Sequence, residues 1–432
     1  MPFRPNPTRL AMRLLLLLPS TSYKTADFLK AAEKLNAEVI VACNQEQTME
    51  AIAQGNLHTL DFLDIEHSTD KIVQMAKARP ISAVLSTDDE GALLAAAISS
   101  ALALKTNPMS ALAPTLDKAQ LRERLLAAGV PSPAFERYST DRAPEEFAKE
   151  IDYPVVLKPT FLSGSQGVIR ANNPDEFKQA FRRIKALFQD PEVIQKRGGV
   201  ANEILVETYI PGKEFAFEGL LQRGRLIPLA FFDKPDPLEG PFFEETLYIT
   251  PSRLPRTVQD RIFDLVKNGT YALGLKEGPL HAEMRVGPDG PILLEIAARS
   301  IGGHCSRILK FAAGMTLEEI ILRHALGFPF ESLALQNKGA SGVMMIPIPK
   351  RGILVAVKGL DEAKKITGIT EIDLSAHRGQ EIIPLPEGRS YFGFIFAKGS
   401  SPQAVEDALR KAHRKLDIVV EPRHKGFGAD PS

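Results

Sequence analysis

Two glutamates carry the first chemistry that can be read from this chain. Glu283 and Glu295 stand in apolar runs, Met284 and Val286 on one side and Ile292, Leu293, Leu294 and Ile296 on the other. Gly287-Pro288-Asp289-Gly290 joins the runs, and the pattern reads as a hairpin in a largely buried sheet. Counted symmetrically out from Asp289, the two acids fall opposite each other. Like charges across a ladder repel, burial raises the cost, and a cation between them removes it. Mg²⁺, with a few carboxylate ligands and open positions for phosphate oxygens, fits that place. The register depends on the turn. A two-residue loop at Asp289-Gly290 turns Glu295 to the other face, whereas an odd-length loop with a bulge keeps the acids together. The competing reading is a hairpin whose acids both face water.

Further along the chain are groups suited to an anion. Lys158 closes the apolar run Pro154-Val155-Val156-Leu157; it either snorkels at a strand end or points at an anion. Ser163-Gly164-Ser165-Gln166-Gly167 follows directly. Such a loop is either an ordinary turn or a set of backbone N–H groups able to close over phosphates. Lys118 falls in the first turn of a helix, where a cation is locally unfavourable unless it has a ligand to hold. In the run from Ile204 to Glu214, the connector Ile210-Pro211-Gly212-Lys213 can offer backbone groups to a base edge, and Glu214 can take a diol. Arg299, with Gly302-Gly303 after it, is placed to grip a phosphoryl group or a carboxylate through its guanidinium fork. His304 reads as structural.

The elements that position these residues follow from periodicity. Strands at Leu14–Leu18, Val39–Ala42 and Ala83–Ser86 alternate with helices at Thr25–Leu35, Asp70–Lys77 and Glu90–Leu102, which implies a small parallel sheet. Pro19-Ser20-Thr21-Ser22 follows the first strand in place of a G-x-G-x-x-G, so a dinucleotide is not supported. Asn107-Pro108 and Ala113-Pro114 mark a boundary. A helix from Leu116 to Ala128 stops at Gly129, and Asn173-Pro174-Asp175-Glu176 starts another. Thr316 and Glu319 form a capping box. A separate C-terminal unit begins near Ala340, and the tail from Glu421 reads as disordered.

The 432 residues suffice for two to four domains. Lys plus Arg equals Asp plus Glu at 53 each, which argues against a nucleic-acid binder. Two cysteines, Cys43 and Cys305, fit neither a metal site nor a disulfide framework, so a reducing cytoplasm is the simplest setting. Arg4, Arg9 and Arg13 before Leu14–Leu18 imitate a short signal peptide, but the run is too brief and reads as a buried first strand. Ordered pattern begins at Met12, an alternative start to Met1. No run approaches the length of a membrane span.

In order and spacing, these motifs resemble the ATP-grasp superfamily over residues 10–330. The matching set is Lys118, Leu157-Lys158-Pro159, the Ser163–Gly167 loop, Leu205-Val206-Glu207 with Tyr209-Ile210, Gly212-Lys213-Glu214, His281-Ala282-Glu283, and Leu293-Leu294-Glu295 with Arg299. Asp233-Lys234-Pro235 and the stretch from Pro241 to Ser252 are similar to the substrate loop of the L-amino-acid ligase (dipeptide synthetase) branch, with its glutamate at Glu245. Tyr248 stands where some members have histidine. The segment from Ala340 resembles that branch's C-terminal domain.

The resemblance implies an α/β and α+β architecture: a Rossmann-like parallel-sheet domain (residues 10–112), an ATP-grasp domain (113–330, with a small lid subdomain about 135–212), and a C-terminal α+β domain (340–420). It implies that Lys118 and Lys158 hold the phosphates of ATP and that Ser163, Gly164, Ser165, Gln166 and Gly167 cover them. Glu207, Tyr209 and Ile210 would line the adenine site, Glu207 and Ile210 through backbone groups, and Glu214 would bind the ribose. Glu283 and Glu295 would hold Mg²⁺, with Mn²⁺ as a substitute. Arg299, beside Gly302 and Gly303, would steady the acyl phosphate or substrate carboxylate, and Glu245 would meet a substrate ammonium. The implied activity is a carboxylate–amine ligase on small-molecule substrates, acting through an acyl phosphate and releasing ADP and phosphate. Homodimers are common for such folds. Many members have an asparagine where this chain has Ala297. A small-molecule phosphotransferase and a nucleotide-binding protein without ligase activity stay open beside the ligase.

Overall fold

The computed structural model describes residues 12–20, 22–45, 57–197, 202–330, 332–336 and 339–423. Four parallel strands open the chain: β1 (Arg13–Leu17), β2 (Glu38–Cys43), β3 (Leu57–Thr59) and β4 (Ala83–Ser86), in the order β3-β2-β1-β4. Leu14 to Leu18 are fully buried, so the leucine run is the spine of a sheet, as its continuous apolarity requires. The chain leaves β1 for one side of the sheet and returns to β4 on the other. Loops at such a switch point bound a crevice at the strand ends; here they carry Tyr23 and Lys24 after β1, and Asp88 and Asp89 after β4. The possible start at Met1, residues 1–11 and Thr21 lie outside the described residues.

The expected helix from Leu116 begins instead at Lys118. Asp117 ends a preceding helix, Met109–Leu116, and caps the next, Lys118–Ala127, its Oδ1 accepting from Ala119 N and Gln120 N at 2.9 Å. The boundary read at Pro108 and Pro114 is therefore partly helical; the missing N–H of Pro114 falls in a short helix that stops two residues later.

A lid follows. Its strands are β5 (Phe135–Ser139), β6 (Val155–Pro159), β7 (Ile169–Ala171) and β8 (Glu203–Thr208), antiparallel in the order β5-β8-β6-β7. The helix Pro174–Leu187 covers the sheet with Phe177, Phe181 and Ile184. Asn173 caps it as the sequence predicts, accepting from Asp175 N and Glu176 N.

The main sheet runs through β9 (Lys213–Gln222), β10 (Arg225–Asp233), β11 (Leu247–Thr250), β12 (Gly278–Gly287) and β13 (Gly290–Ala297). The C-terminal part adds β14 (Ala340–Met345), β15 (Gly352–Lys358), β16 (Ile369–Leu374), β17 (Glu381–Ile382), β18 (Gly393–Gly399) and β19 (Asp417–Glu421). It does not stand apart. β14 pairs with β11, and one sheet continues in the order β13-β12-β9-β10-β11-β14-β18-β16. β17-β15-β19 form a small side sheet. Glu421, expected to begin a disordered tail, closes β19; residues 424–432 lie outside the described residues. Among the described residues no helix is long and apolar enough to cross a membrane.

Period two divides the main sheet. Phe215, Phe217, Ala282, Met284, Leu293 and Ile296 face a core shared with the helix Arg256–Leu273. Gly269 lets that helix sit close, since a Cβ there would come within 2.6 Å of Ile296. The opposite face is polar, and it is the floor of a cleft.

Candidate active site

The hairpin places Glu283 directly opposite Glu295. The loop is nevertheless even, two residues, closed by the Gly287–Gly290 pair. On that turn alone Glu295 would face Ala282 and point into the core. A bulge between Leu293 and Glu295 restores the pairing: Leu294 is the extra residue, so Leu294 and Glu295 both lie against Glu283, and both line the cleft. The bulge is held from below. Arg122, fully buried, donates to Leu294 O at 2.6 Å and pairs with Glu207 at 2.7 Å.

Across the floor, β9 and β12 align Glu218 with His281, Ala216 with Glu283, and Glu214 with Arg285. Of the two paired acids, Glu283 has a cation of the protein beside it, in a cluster with two further carboxylates. Lys234 Nζ, buried, reaches Glu214 at 2.5 Å, Glu245 at 2.7 Å and Glu283 at 3.2 Å. Burial works against the ammonium, but the three carboxylates outweigh it and raise its pKa well above the usual lysine value. His281 bridges Glu218 (3.2 Å) and Glu283 (3.5 Å). Burial opposes its charge too, yet these hydrogen bonds lift the imidazole to about 9. Glu283 is held ionised against burial, chiefly by Lys234. Burial and the neighbouring Glu283 push Glu245 up to about 7. Tyr248 donates to Glu283 at 3.0 Å.

Carboxylate oxygens of Glu214, Glu245 and Glu283 lie within 4.8 Å of one another. These three form a hard-oxygen donor set suited to Mg²⁺; Glu295, expected as the second ligand, lies opposite Glu283 in the ladder and lines the cleft but is outside this group. Ala297 lies opposite His281 in the ladder and is buried, so the asparagine position of other members neighbours an imidazolium here.

The lid supplies the roof. Lys158 pairs with Glu207 at 2.6 Å, and Lys118 Nζ donates to Leu162 O at the start of the glycine loop. Both ammonium groups line the cleft. Glu207, expected at the adenine site through its backbone, lines the cleft, and its side chain has a separate place. It lies in the centre strand of the lid sheet, between β5 and β6; its carboxylate is 2 % exposed and ordered by Arg122 and Lys158. These cations outweigh burial and hold it below the usual carboxylate range. Its side chain thus organises a lysine and an arginine.

The glycine loop also divides. Ser163, Gly164 and Ser165 line the cleft, but Gln166 and Gly167 do not. Gln166 Nε2 donates to Glu387 O at 3.0 Å, and Gly167 N to Pro386 O at 2.8 Å, fastening the loop to the C-terminal domain. At the far end Tyr209 lies between the guanidinium groups of Arg170 (3.9 Å) and Arg285 (5.1 Å). Ile210 O accepts from Arg285 at 2.9 Å. Glu214 lines the cleft with both oxygens already paired, to Lys234 and Arg285 (3.1 Å).

Arg299 is fixed by the first domain, its Nε 2.9 Å from Asp89. Asp89 and Glu295 keep the guanidinium charged against burial. Gly302 lines the cleft. Gly303 does not; its N donates to Tyr23 Oη at 2.7 Å, and a Cβ there would run into Met345. His304 is buried against Tyr23 and Phe394, in keeping with a structural role.

The cleft therefore gathers Lys118, Lys158, Ser163–Ser165, Glu207, Tyr209, Ile210, Glu214, Glu245, Glu283, Glu295, Arg299 and Gly302. Sequence reasoning missed Arg122, Asp89 and Glu218, and named Lys234 and His281 only as members of motifs, without a role. Glu218 and His281 carried a signal, being polar residues in phase with Glu214 and Glu283 on apolar strands. Asp89 carried none, because its partner is remote in the chain.

Comparison with known proteins agrees with this geometry. Residues 151–308 match the ATP-grasp domain, and residues 344–421 match L-amino acid ligase C-terminal domain 2. Dapdiamide A synthase of Enterobacter agglomerans is 27% identical over 90% of this chain and 89% of its own. Alanine–anticapsin ligase of Bacillus subtilis is 28% identical over 48% of this chain, which spans about half (46%) of that enzyme. The crystal structure of L-amino acid ligase from Bacillus licheniformis superposes with a TM-score of 0.81 at 26% identity, covering 96% of this chain and 100% of that one. The chain thus carries an ATP-grasp domain followed by an L-amino acid ligase C-terminal domain, on a fold that is similar end to end to that of an L-amino acid ligase.

Proposed function

We propose that the protein is an ATP- and Mg²⁺-dependent carboxylate–amine ligase that joins amino acids or related small molecules. The observation that carries this is the meeting, in one cleft, of two lysines, a glycine loop, facing carboxylates and an anchored arginine. A carboxylate oxygen attacks the γ-phosphorus and ADP leaves; an amine then attacks the acyl carbon, and phosphate departs with the C–O electron pair. Such transfer depends on positioning and charge neutralisation. Lys118 and Lys158 are held by Leu162 O and Glu207, so their charges are in place before the phosphates arrive. Arg299, steadied by Asp89, faces the transferring group, and Glu245 receives a substrate ammonium. Glu283 and Glu295 would hold Mg²⁺. When bound, that ion neutralises the charge that builds on the phosphates.

Purified protein with ATP, Mg²⁺ and a matrix of carboxylates and amines should release ADP and phosphate and yield an amide detectable by mass spectrometry. ADP release that needs no amine, leaving a phosphorylated product, would favour a phosphotransferase. ATP binding without turnover for any pair would favour a nucleotide-binding protein.

A further inference from the structure

The segment Arg299–Gly303 carries the arginine of the cleft, and Ile301 and Gly302 line the cleft beside it. Strand β13 ends at Ala297, so the sheet ladder does not set the position of this segment. Its polar groups take partners elsewhere. Glu218 of β9 accepts from Ile301 N at 3.2 Å. The other partners come from the first domain. Asp89 accepts from Arg299 Nε at 2.9 Å, Lys24 Nζ donates to Ser300 O at 3.2 Å, and Tyr23 Oη accepts from Gly303 N at 2.7 Å.

Lys24 is the centre of this clamp. The residue is 7 % exposed; its ammonium also donates to Thr87 O at 3.2 Å, and Asp88 Oδ1 lies 3.7 Å away. A charge kept out of water is costly unless it is paired and hydrogen-bonded, and here the partners span the loop after β4 and the segment itself. Ser300 O accepts a second donor, Arg299 Nη1, at 3.1 Å, so the lysine and the guanidinium meet at one carbonyl. A Cβ on Gly302 would come within 3.0 Å of Tyr23 Oη, so the segment lies close against the loop after β1. The lysines assigned to the phosphates are held differently. Lys118 and Lys158 have partners in the lid, Leu162 O and Glu207. The lid in turn is fastened to the C-terminal domain, where Arg183 donates to Glu387 at 2.9 Å.

We propose that Lys24 and Tyr23 are positioning residues: from the first domain they fix the segment Arg299–Gly303, and through it the guanidinium of Arg299, for phosphoryl transfer. Neither lines the cleft; both act through backbone atoms of the segment. The kinetic consequence rests on the ligase reading above. The first domain then acts on the rate of transfer and not on the binding of ATP.

The test uses the full chain as Lys24→Met, as Tyr23→Phe, and as a control that combines Lys34→Met with Lys105→Met. The control breaks two other ties of the first domain, to Glu319 and to His324 O, and spares the segment. With ATP, Mg²⁺ and a carboxylate substrate, single-turnover formation of ADP should slow about ten- to a hundredfold in Lys24→Met, as loss of a hydrogen bond from a charged group implies. In Tyr23→Phe it should slow about fivefold. The KM for ATP should stay at the wild-type value in both, and the control should match wild type in rate. Hydrogen exchange without substrate, followed by mass spectrometry, should quicken at residues 300–303 in Lys24→Met and Tyr23→Phe. It should stay unchanged in the β12–β13 hairpin, and throughout the segment in the control. Equal slowing in the control, a KM for ATP that rises as the rate falls, or unchanged exchange at residues 300–303 overturns the proposal. Wild-type rates of ADP formation in both positioning variants also overturn it, and leave the ligase reading standing. If the wild type forms no ADP with any carboxylate, the ligase reading falls, and the exchange rates alone decide whether the first domain clamps the segment.

Discussion

At the scale of single residues the site is built on buried charges held by buried partners. Arg122, Glu207 and Lys158 form such a chain. Removing one member leaves the others charged in a medium that does not solvate them, at a cost of about 3–5 kcal/mol. Glu207→Gln should therefore lose stability of that order in denaturant titrations at neutral pH. The pH dependence has a definite sign. Glu207 has its folded pKa depressed, so its contribution is present above the unfolded carboxylate range near 4.5 and is lost as pH falls through the lower folded value. Wild type should show an acid limb in that region that is flatter in Glu207→Gln. Lys234 invites a second measurement. In Lys234→Met, Glu214, Glu245 and Glu283 lose their shared cation, and repulsion among them should lower the melting temperature. Added Mg²⁺, without nucleotide, should restore more of it in the variant than it adds to wild type. An equal response in both proteins would mean the ion does not enter this cluster.

At the scale of elements the hairpin β12–β13 shows how two features share the setting of a register. The turn is closed by Gly290 at φ +118°, a conformation that suits glycine. The bulge at Leu294, pinned by Arg122, then corrects the parity. Gly290→Ala should cost about 1–3 kcal/mol of stability through backbone strain. Mg²⁺·ATP affinity should survive, because the bulge and Arg122 hold Glu295 opposite Glu283 independently of the turn. Loss of that affinity in a folded variant would show that the turn alone sets the pairing. Much at this scale was legible in sequence. Asn173 and Thr316 cap their helices as the motifs require, since capping is satisfied within one turn of chain. Strands β5, β11, β16, β17 and β19 were not legible. They are short, and their identity as strands comes from partners elsewhere in the chain.

At the scale of the molecule the cleft is assembled from every part of the chain. The first domain contributes Asp89 to fix Arg299, the lid contributes Lys158 and the glycine loop, and the C-terminal domain contributes Tyr391 and the joints of the lid. The Arg183–Glu387 pair at the lid is exposed, and such pairs are worth at most about 1 kcal/mol. Glu387→Ala should accordingly speed release of a fluorescent ATP analogue by no more than about fivefold, measured by stopped flow, with the global melting temperature little changed. No change in the release rate would mean that the two backbone-directed bonds, from Gln166 and Gly167, hold the lid unaided.

The amino-acid sequence by itself determined the parts whose meaning is local: the parallel-sheet alternation, the glycine loop behind a strand-end lysine, and the hairpin bearing two acids. It also carried enough ordered spacing to point to a nucleotide and its ion. Only the tertiary structure decided what those charges rest on. It put Lys234 among three carboxylates, Arg122 under the bulge, and Asp89 behind Arg299. The reason is physical. A strand's period says which face a side chain takes, but the energy of a buried charge depends on whatever else the fold brings within a few ångströms, and those partners lie far along the chain.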